Sequence, residues 1–236
     1  MVRRGLAPSR AQATEAVVAG RVTVGGAPTS KPSRLVAPDE PIQLHGPPPR
    51  FVSRGGEKLD AALDEFDVDV SGAVALDAGA STGGFTDCLL QRGAARVIAV
   101  DVGHGQLHER LVGDSRVVQR DRTNIRTLDA TALGELADVV VADLSFISLR
   151  LVAPALLACA RPGADLVLLV KPQFESTRQE AAKGKGVIRD ESVRERVLTE
   201  VITAFAGLGA AIMGTMVSPL AGADGNVEYL VHARKQ

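Results

Sequence analysis

The sequence has no tryptophan, one tyrosine and six phenylalanines among 236 residues. An interior built on stacked aromatics is therefore excluded, and Val, Leu, Ile and Ala must fill whatever core the 45% of hydrophobic residues supports. Cysteine is equally scarce. Cys88 and Cys159 lie far apart and outside any CxxC pattern, so neither a disulfide framework nor a zinc site is indicated, and no metal is expected. Both read as reduced core residues. Residues 1–15 lack the apolar stretch of a secretory signal, which leads to the expectation of a cytoplasmic location. One uncharged stretch, the 23 residues between Glu200 and Asp224, reaches the length of a membrane span. Its four glycines and Pro219 break it into helix end, strand and turn, so no membrane partner is expected.

Charge of one sign is lacking only globally. Residues 1–54 carry eight Lys/Arg against three acids, a net +5, which leaves −6 for residues 55–236 of a chain whose total is −1. A small basic segment joined to a larger acidic one fits a polyanion-binding module attached to something else. Arg3, Arg4, Arg10 and Lys31 are its candidate phosphate contacts. Charge alone does not separate this from an ordinary solvated surface.

Proline and glycine mark the boundary. Gly46 and the triplet Pro47-Pro48-Pro49 cannot continue a helix or a central strand, and 46–54 reads as a stiff linker between a small segment, 1–45, and a large one, 55–236. Before it, 9–19 reads as a helix capped by Ser9 and stopped by Gly20, followed by short strands at 21–26 and 40–44. After it, Leu59, Ala62, Leu63 and Phe66 repeat at helical spacing. Apolar strands then recur at 73–78, 96–101, 116–120, 138–143, 165–170, 210–217 and 227–233, mostly with helix-length segments between them. That alternation predicts an α/β fold with a mostly parallel sheet covered on both faces. Ligands of such sheets bind at the carboxyl ends of the strands.

Two groups of residues occupy those ends. The first strand runs into LDAGASTGGFTD (76–87), where Gly79, Gly83 and Gly84 permit a tight turn and close approach of backbone to a ligand. The spacing is not GxGxxG, which weakens a dinucleotide reading. Asp101 ends the second strand, where a carboxylate can accept bonds from both hydroxyls of a ribose. Asp77 and Asp101 can equally be turn or cap residues. The second group is Asp143 after VVVA, Lys171 after LVLLV and Glu228 opening the last strand, with Lys58 at the start of the helix before the first strand. A lysine closing so apolar a run is poorly explained by solubility, although a snorkelling surface lysine is the plain alternative. Together the four suit removal of a proton from a poor nucleophile such as a ribose 2′-hydroxyl. Burial and neighbouring cations would depress the lysine, and a neighbouring acid would hold it.

DAGASTGGFTD, VVADLSFISL, LVKPQFE and GNVEY, in this order, resemble the TlyA family of rRNA 2′-O-methyltransferases, sometimes labelled hemolysins, whose catalytic domain is FtsJ-like. The resemblance spans almost the whole chain. It implies a Rossmann-like methyltransferase sheet and a Lys58–Asp143–Lys171–Glu228 catalytic tetrad. It implies S-adenosylmethionine bound by the turn that contains Asp77, Gly79, Ser81, Thr82, Gly83, Gly84 and Phe85, by Asp101 and by Asp143. The electrophile would then be a sulfonium methyl, and no metal is needed. Residues 5–36 are similar to the helix and hairpin of the RNA-binding domain of ribosomal protein S-four, which implies a small N-terminal α+β RNA-binding domain and ribosomal RNA or ribosomal subunits as partner. That domain usually starts with a further helix before its RRGL segment, so a version lacking that helix is expected here. KGKGVIRDES (183–192), with a helix start at Asp190, reads as a loop that orders over RNA through Lys183 and Lys185, or as a plain flexible connection. A non-catalytic RNA-binding or ribosome-assembly factor, a membrane-lytic protein and a small-molecule methyltransferase are the rival readings.

Overall fold

A computed structural model describes all residues except 8, 9, 48 and 223. It consists of two compact units, Met1–Arg50 and Phe51–Gln236. The expected cap Ser9 and the central proline Pro48 lie outside the described residues.

The first unit holds a helix, α1 (Arg10–Val18), and a three-stranded antiparallel sheet ordered β2 (Ala27–Pro28), β1 (Val22–Val24), β3 (Ile42–Leu44). Its core is small: Ala16, Val17, Val22 and Val24, with Met1, Val36 and Ile42 against them. Arginines supply part of what so small a core cannot. Arg4 donates to the carbonyls of Ala37, Pro38 and Glu40, and Arg21 to those of His45 and Pro47.

The second unit begins earlier than the proline-rich stretch suggested. Phe51 and Val52, expected as linker, are buried in its core. A Cβ on Gly56 would stand 2.3 Å from Phe51 Cγ, so the ring lies directly on the start of α2 (Gly55–Glu65). The strands are β4 (Val74–Ala78), β5 (Arg96–Val100), β6 (Val117–Arg120), β7 (Ala137–Ala142), β8 (Ala160–Val170), β9 (Ala210–Val217) and β10 (Tyr229–Lys235). They form one sheet in the order β6-β5-β4-β7-β8-β10-β9, parallel from β6 to β8 and antiparallel at β10 and β9.

Alternation of side chains along each strand divides the interior into two cores. Leu76, Ile98, Val140, Leu166 and Leu168 face one side, against α6 (Leu149–Cys159) and α9 (Glu191–Gly207). Val97, Val139, Val141, Val167 and Leu169 face the other, against α2 and α3 (Gly84–Gln91). Runs such as LVLLV are apolar throughout because both faces are covered. Helix α9 shows the complementary pattern, with Val197, Val201 and Phe205 buried at four-residue spacing. Short helices α4 (Glu109–Val112), α5 (Ala130–Leu133), α7 (Pro172–Glu175) and α8 (Arg178–Lys183) occupy the connections. Among the described residues no helix is long and apolar enough to cross a membrane.

Candidate active site

The sheet order sets the site. Strand β10 runs antiparallel to β8, with Tyr229 paired to Val170, so the beginning of β10 stands at the same edge as the carboxyl ends of the parallel strands. Asp121, Asp101, the Asp77–Gly79 segment, Asp143, Lys171 and Glu228 therefore follow one another on the neighbouring ends of β6, β5, β4, β7, β8 and β10. The chain reverses direction of growth at β4, the position at which open α/β sheets hold their ligands.

Two ion pairs bring the four expected catalytic residues together. Lys171 Nζ stands 2.5 Å from Asp143 Oδ1, off the direction of a hydrogen bond, and donates its hydrogen bond to Ser145 Oγ at 3.1 Å. Lys58 Nζ donates to Glu228 Oε2 at 2.5 Å, and the two side chains are only 8% and 2% exposed. Glu228 is confined from the other side as well: a Cβ on Gly222 would lie 2.5 Å from its Oε1. Backbone bonds from Gly222 to Asn226 and from Gly225 to Gly222 close the turn that leads to it.

At β4 the site is a tight loop. Asp77 is completely buried; its Oδ2 accepts from Thr86 Oγ1 at 2.6 Å, and its Oδ1 has no partner. Burial, with the Asp143 and Asp101 carboxylates adding to it, pushes Asp77 up to about 7 against the lowering effect of Thr86. Asp101 accepts from Ser81 N at 2.8 Å through Oδ2 and from Gly103 N at 2.7 Å through Oδ1, and so ties two loops together. Each oxygen keeps a second lone pair for a ligand. Thr82 lies on the same loop, its carbonyl accepting from His108 N at 3.2 Å.

The glycines of this loop, of which Gly79 and Gly83 have positive φ as a tight turn requires, also answer to packing within the protein. Gly83 has φ 92°, and a Cβ there would meet Leu111 Cδ1 at 2.3 Å and Leu107 Cδ1 at 2.8 Å. A Cβ on Gly84 would meet Ser53 Oγ at 2.2 Å, and one on Gly79 the Asp143 carbonyl oxygen at 2.6 Å. These are packing requirements of the loop against its own protein. Phe85, expected at the cofactor, is buried in the core with Phe51, Leu59 and Leu89.

Of the residues expected to touch RNA, Arg3, Arg10 and Lys31 are exposed. Arg4 is exposed as well, and its guanidinium donates to three carbonyls of its own unit. Lys183 ends α8 and Lys185 follows with φ 53°. The turn after them is fastened from below: buried Asn226 accepts from Ile188 N and donates to Gly186 O, both at 2.9 Å. Asp190 caps α9 as expected.

Five residues at the site escaped the sequence reading. Ser145 holds Lys171. Phe146, 91% exposed and with φ 63°, packs its ring 5.0 Å from that of Phe174, over which Lys171 Nζ lies at 5.9 Å. Buried Glu175 accepts from Leu149 N at 2.7 Å and from Ser148 Oγ. Asp121, directly after β6, accepts from Gly105 N at 2.7 Å. The strand-end rule could have found Asp121; the others lie within VVADLSFISL and LVKPQFE, where no spacing or residue type singles them out.

Comparison with known proteins is consistent with this geometry. The family model described as FtsJ-like methyltransferase matches residues 51–235, and that described as S4 domain matches residues 1–42. The 16S/23S rRNA (cytidine-2′-O)-methyltransferase TlyA of Mycobacterium tuberculosis is 49% identical over 237 residues, covering 100% of this chain and 88% of that protein. Hemolysin A of Brachyspira hyodysenteriae is 39% identical over 97% of this chain and 95% of its own length. A solved structure from Streptococcus thermophilus, described as a hemolysin, superposes with a TM-score of 0.81 at 40% identity over 99% of this chain and 86% of the other.

Proposed function

Because the chain belongs to the FtsJ-like methyltransferase family and carries an S4 domain at its N-terminus, we propose that it transfers a methyl group from S-adenosylmethionine to the ribose 2′-hydroxyl of a cytidine in 16S or 23S ribosomal RNA. The observation that carries this reading is the row of strand ends in which the Lys171–Asp143 and Lys58–Glu228 pairs stand beside the Asp77–Asp101 loop.

The loop fits the cofactor. The unpartnered, fully buried Asp77 Oδ1 suits a cationic group, and the Asp101 oxygens suit a pair of ribose hydroxyls. When bound there, S-adenosylmethionine supplies an electrophilic methyl on a positively charged sulfur. The protein's part is to prepare the nucleophile. Lys171 as the free amine receives the 2′-hydroxyl proton, or as the ammonium stabilises the developing oxyanion while the proton passes to solvent, and Asp143 and Ser145 fix where its nitrogen points. Lys58, held by Glu228, adds a second cation whose position is set by burial. The exposed Phe146 ring, backed by Phe174, offers a face on which an unstacked base can rest. The basic N-terminal unit supplies phosphate contacts and the acidic one supplies chemistry.

Incubation with labelled S-adenosylmethionine and each purified ribosomal subunit, followed by mapping of the modified nucleotide, tests the reading. Label at a cytidine 2′-oxygen is expected; label on a base, or on protein alone, would overturn it.

A further inference from the structure

Lys171 and Asp143 sit on separate turns. One, 143–148, leads from β7 into α6; the other, 171–175, is the α7 segment after β8. Three contacts join them. The first is the Lys171 pair with Asp143 and Ser145, and the second the Phe146–Phe174 ring contact. The third is made by Glu175. Glu175 accepts from Leu149 N at 2.7 Å through Oε1 and from Ser148 Oγ through Oε2, while Arg150 lies 3.4 Å from that carboxylate and donates to the Glu175 carbonyl at 2.9 Å. Glu175 is buried, and a buried carboxylate is costly unless its bonds are made.

The turn so fastened is strained. Phe146 adopts φ 63° without being glycine, a conformation that persists only where the surroundings hold it. Asp143 and Ser145 lie just before Phe146, and the residues gripped by Glu175 lie just after it. Release of that grip lets the turn relax, and the Lys171 partners move with it.

We propose that Glu175 is a positioning residue whose carboxylate locks the 143–148 turn to the 171–175 turn and thereby sets the Lys171–Asp143 geometry. The catalytic half of this statement rests on the methyltransferase reading above; the structural half does not. Glutamine keeps an acceptor for Leu149 N and brings a donor toward Ser148 Oγ, so it restores part of the lock, whereas alanine removes it.

The full-length protein is compared as wild type, Glu175→Ala and Glu175→Gln, by amide hydrogen exchange, calorimetry with S-adenosylmethionine, and transfer of labelled methyl to ribosomal subunits. In the alanine variant exchange is expected to accelerate over both 143–149 and 171–176. Its kcat is expected to fall by roughly 10- to 100-fold, the scale of a misplacement near 1 Å, with cofactor affinity within about twofold. Glutamine is expected to recover most of the missing turnover. Unchanged exchange over 143–149 in Glu175→Ala overturns the proposal, as does a glutamine variant no more active than alanine. If the alanine variant does not fold, Ser148→Ala removes the bond to Glu175 Oε2 together with the Ser148 cap on Arg150 N, leaves the bond from Leu149 N in place, and is required to accelerate exchange over 171–176 as well as over 143–149. If the wild type methylates neither subunit, the functional reading fails while the exchange data still decide whether Glu175 joins the turns.

Discussion

Lys58 and Glu228 are 170 residues apart in the chain and 2.5 Å apart at the edge of the sheet, with almost no exposure to solvent. Removing one member of such a pair strands the other charge in a low-dielectric site, at a cost of about 3–5 kcal/mol. Glu228→Ala is therefore expected to lower the urea midpoint markedly. The double variant Lys58→Met, Glu228→Leu is expected to recover much of that stability and none of the methyl transfer. A single variant as stable as wild type would show that the pair is not desolvated as described.

Lys171→Ala addresses the chemistry rather than the fold, because Lys171 is less enclosed than Lys58 and its removal leaves Asp143 near solvent. The rate of methyl transfer should drop by roughly 10² to 10⁴, the range for a positioned acid or base. Calorimetric affinity for S-adenosylmethionine should stay near the wild-type value. Near-normal turnover in single-turnover assays would remove Lys171 from the proton-accepting role.

The succession of strands along the chain, with Asp143, Lys171 and Glu228 at their ends, was legible in the sequence because apolar runs such as VVVA and LVLLV are long, fully buried and stop abruptly at Asp143 and Lys171; the order of the strands in the sheet was not. Strand β8 begins at Ala160, earlier than read, since Pro162 and Gly163 hide its pairing with the start of β7. Phe51 and Val52 were hidden by the prolines before them, although they seal α2. Ser145, Glu175 and Asn226 act through single long-range bonds, which leave no periodicity to detect. The left-handed backbone of Phe146 has no signature at all in a residue of that type. Arg4 shows the converse: its basic character was plain, its use on three internal carbonyls was not.

If the cofactor's cation sits against Asp77, as proposed above, binding has a pH dependence of definite sign. The folded value of Asp77, about 7, lies above the ordinary 3.8, so between these limits the folded chain holds a proton that the unfolded chain does not. That contribution to stability is complete below the ordinary value and is lost as pH rises through about 7. A cationic ligand against the ionised carboxylate must expel the proton. Affinity for S-adenosylmethionine is accordingly expected to rise with pH, by up to about tenfold per unit below the folded value, and to level off above it. Calorimetry in buffers of different ionisation heat should record proton release at about pH 6 that vanishes at about pH 8.5, and Asp77→Asn should abolish it. Affinity independent of pH across that range would place the cation elsewhere.

Gly83→Val separates packing from ligand approach. The added side chain meets Leu107 and Leu111 from a backbone with φ 92°, so the expected effect is a loss of stability of about 1–3 kcal/mol or more from overpacking and strain. Weaker cofactor binding would follow only from the displaced loop. Thermal unfolding of the ligand-free protein reads this directly. A variant with unchanged melting temperature and strongly reduced cofactor affinity would instead show that the residue faces the ligand.

The basic N-terminal unit contains two kinds of arginine, and they should fail differently. Arg4 bonds to the carbonyls of Ala37, Pro38 and Glu40, so Arg4→Ala is expected to loosen this unit and to lower its unfolding temperature. Arg3, Arg10 and Lys31 are exposed, and their replacement by glutamine should leave unfolding unchanged. If they reach phosphates, that triple variant binds ribosomal RNA more weakly at low salt. Its plot of log affinity against log salt is then shallower by roughly 0.7–0.9 for each phosphate no longer neutralised, because fewer counterions are released. The same titration applied to Lys183→Gln, Lys185→Gln tests whether the turn held by Asn226 contributes to the same electrostatic attraction. Cofactor affinity should be untouched in every one of these variants, since each replaced side chain lies outside the strand-end row. A triple variant with the wild-type salt slope would mean that these three charges do not meet phosphate, whatever the net +5 of the segment suggests.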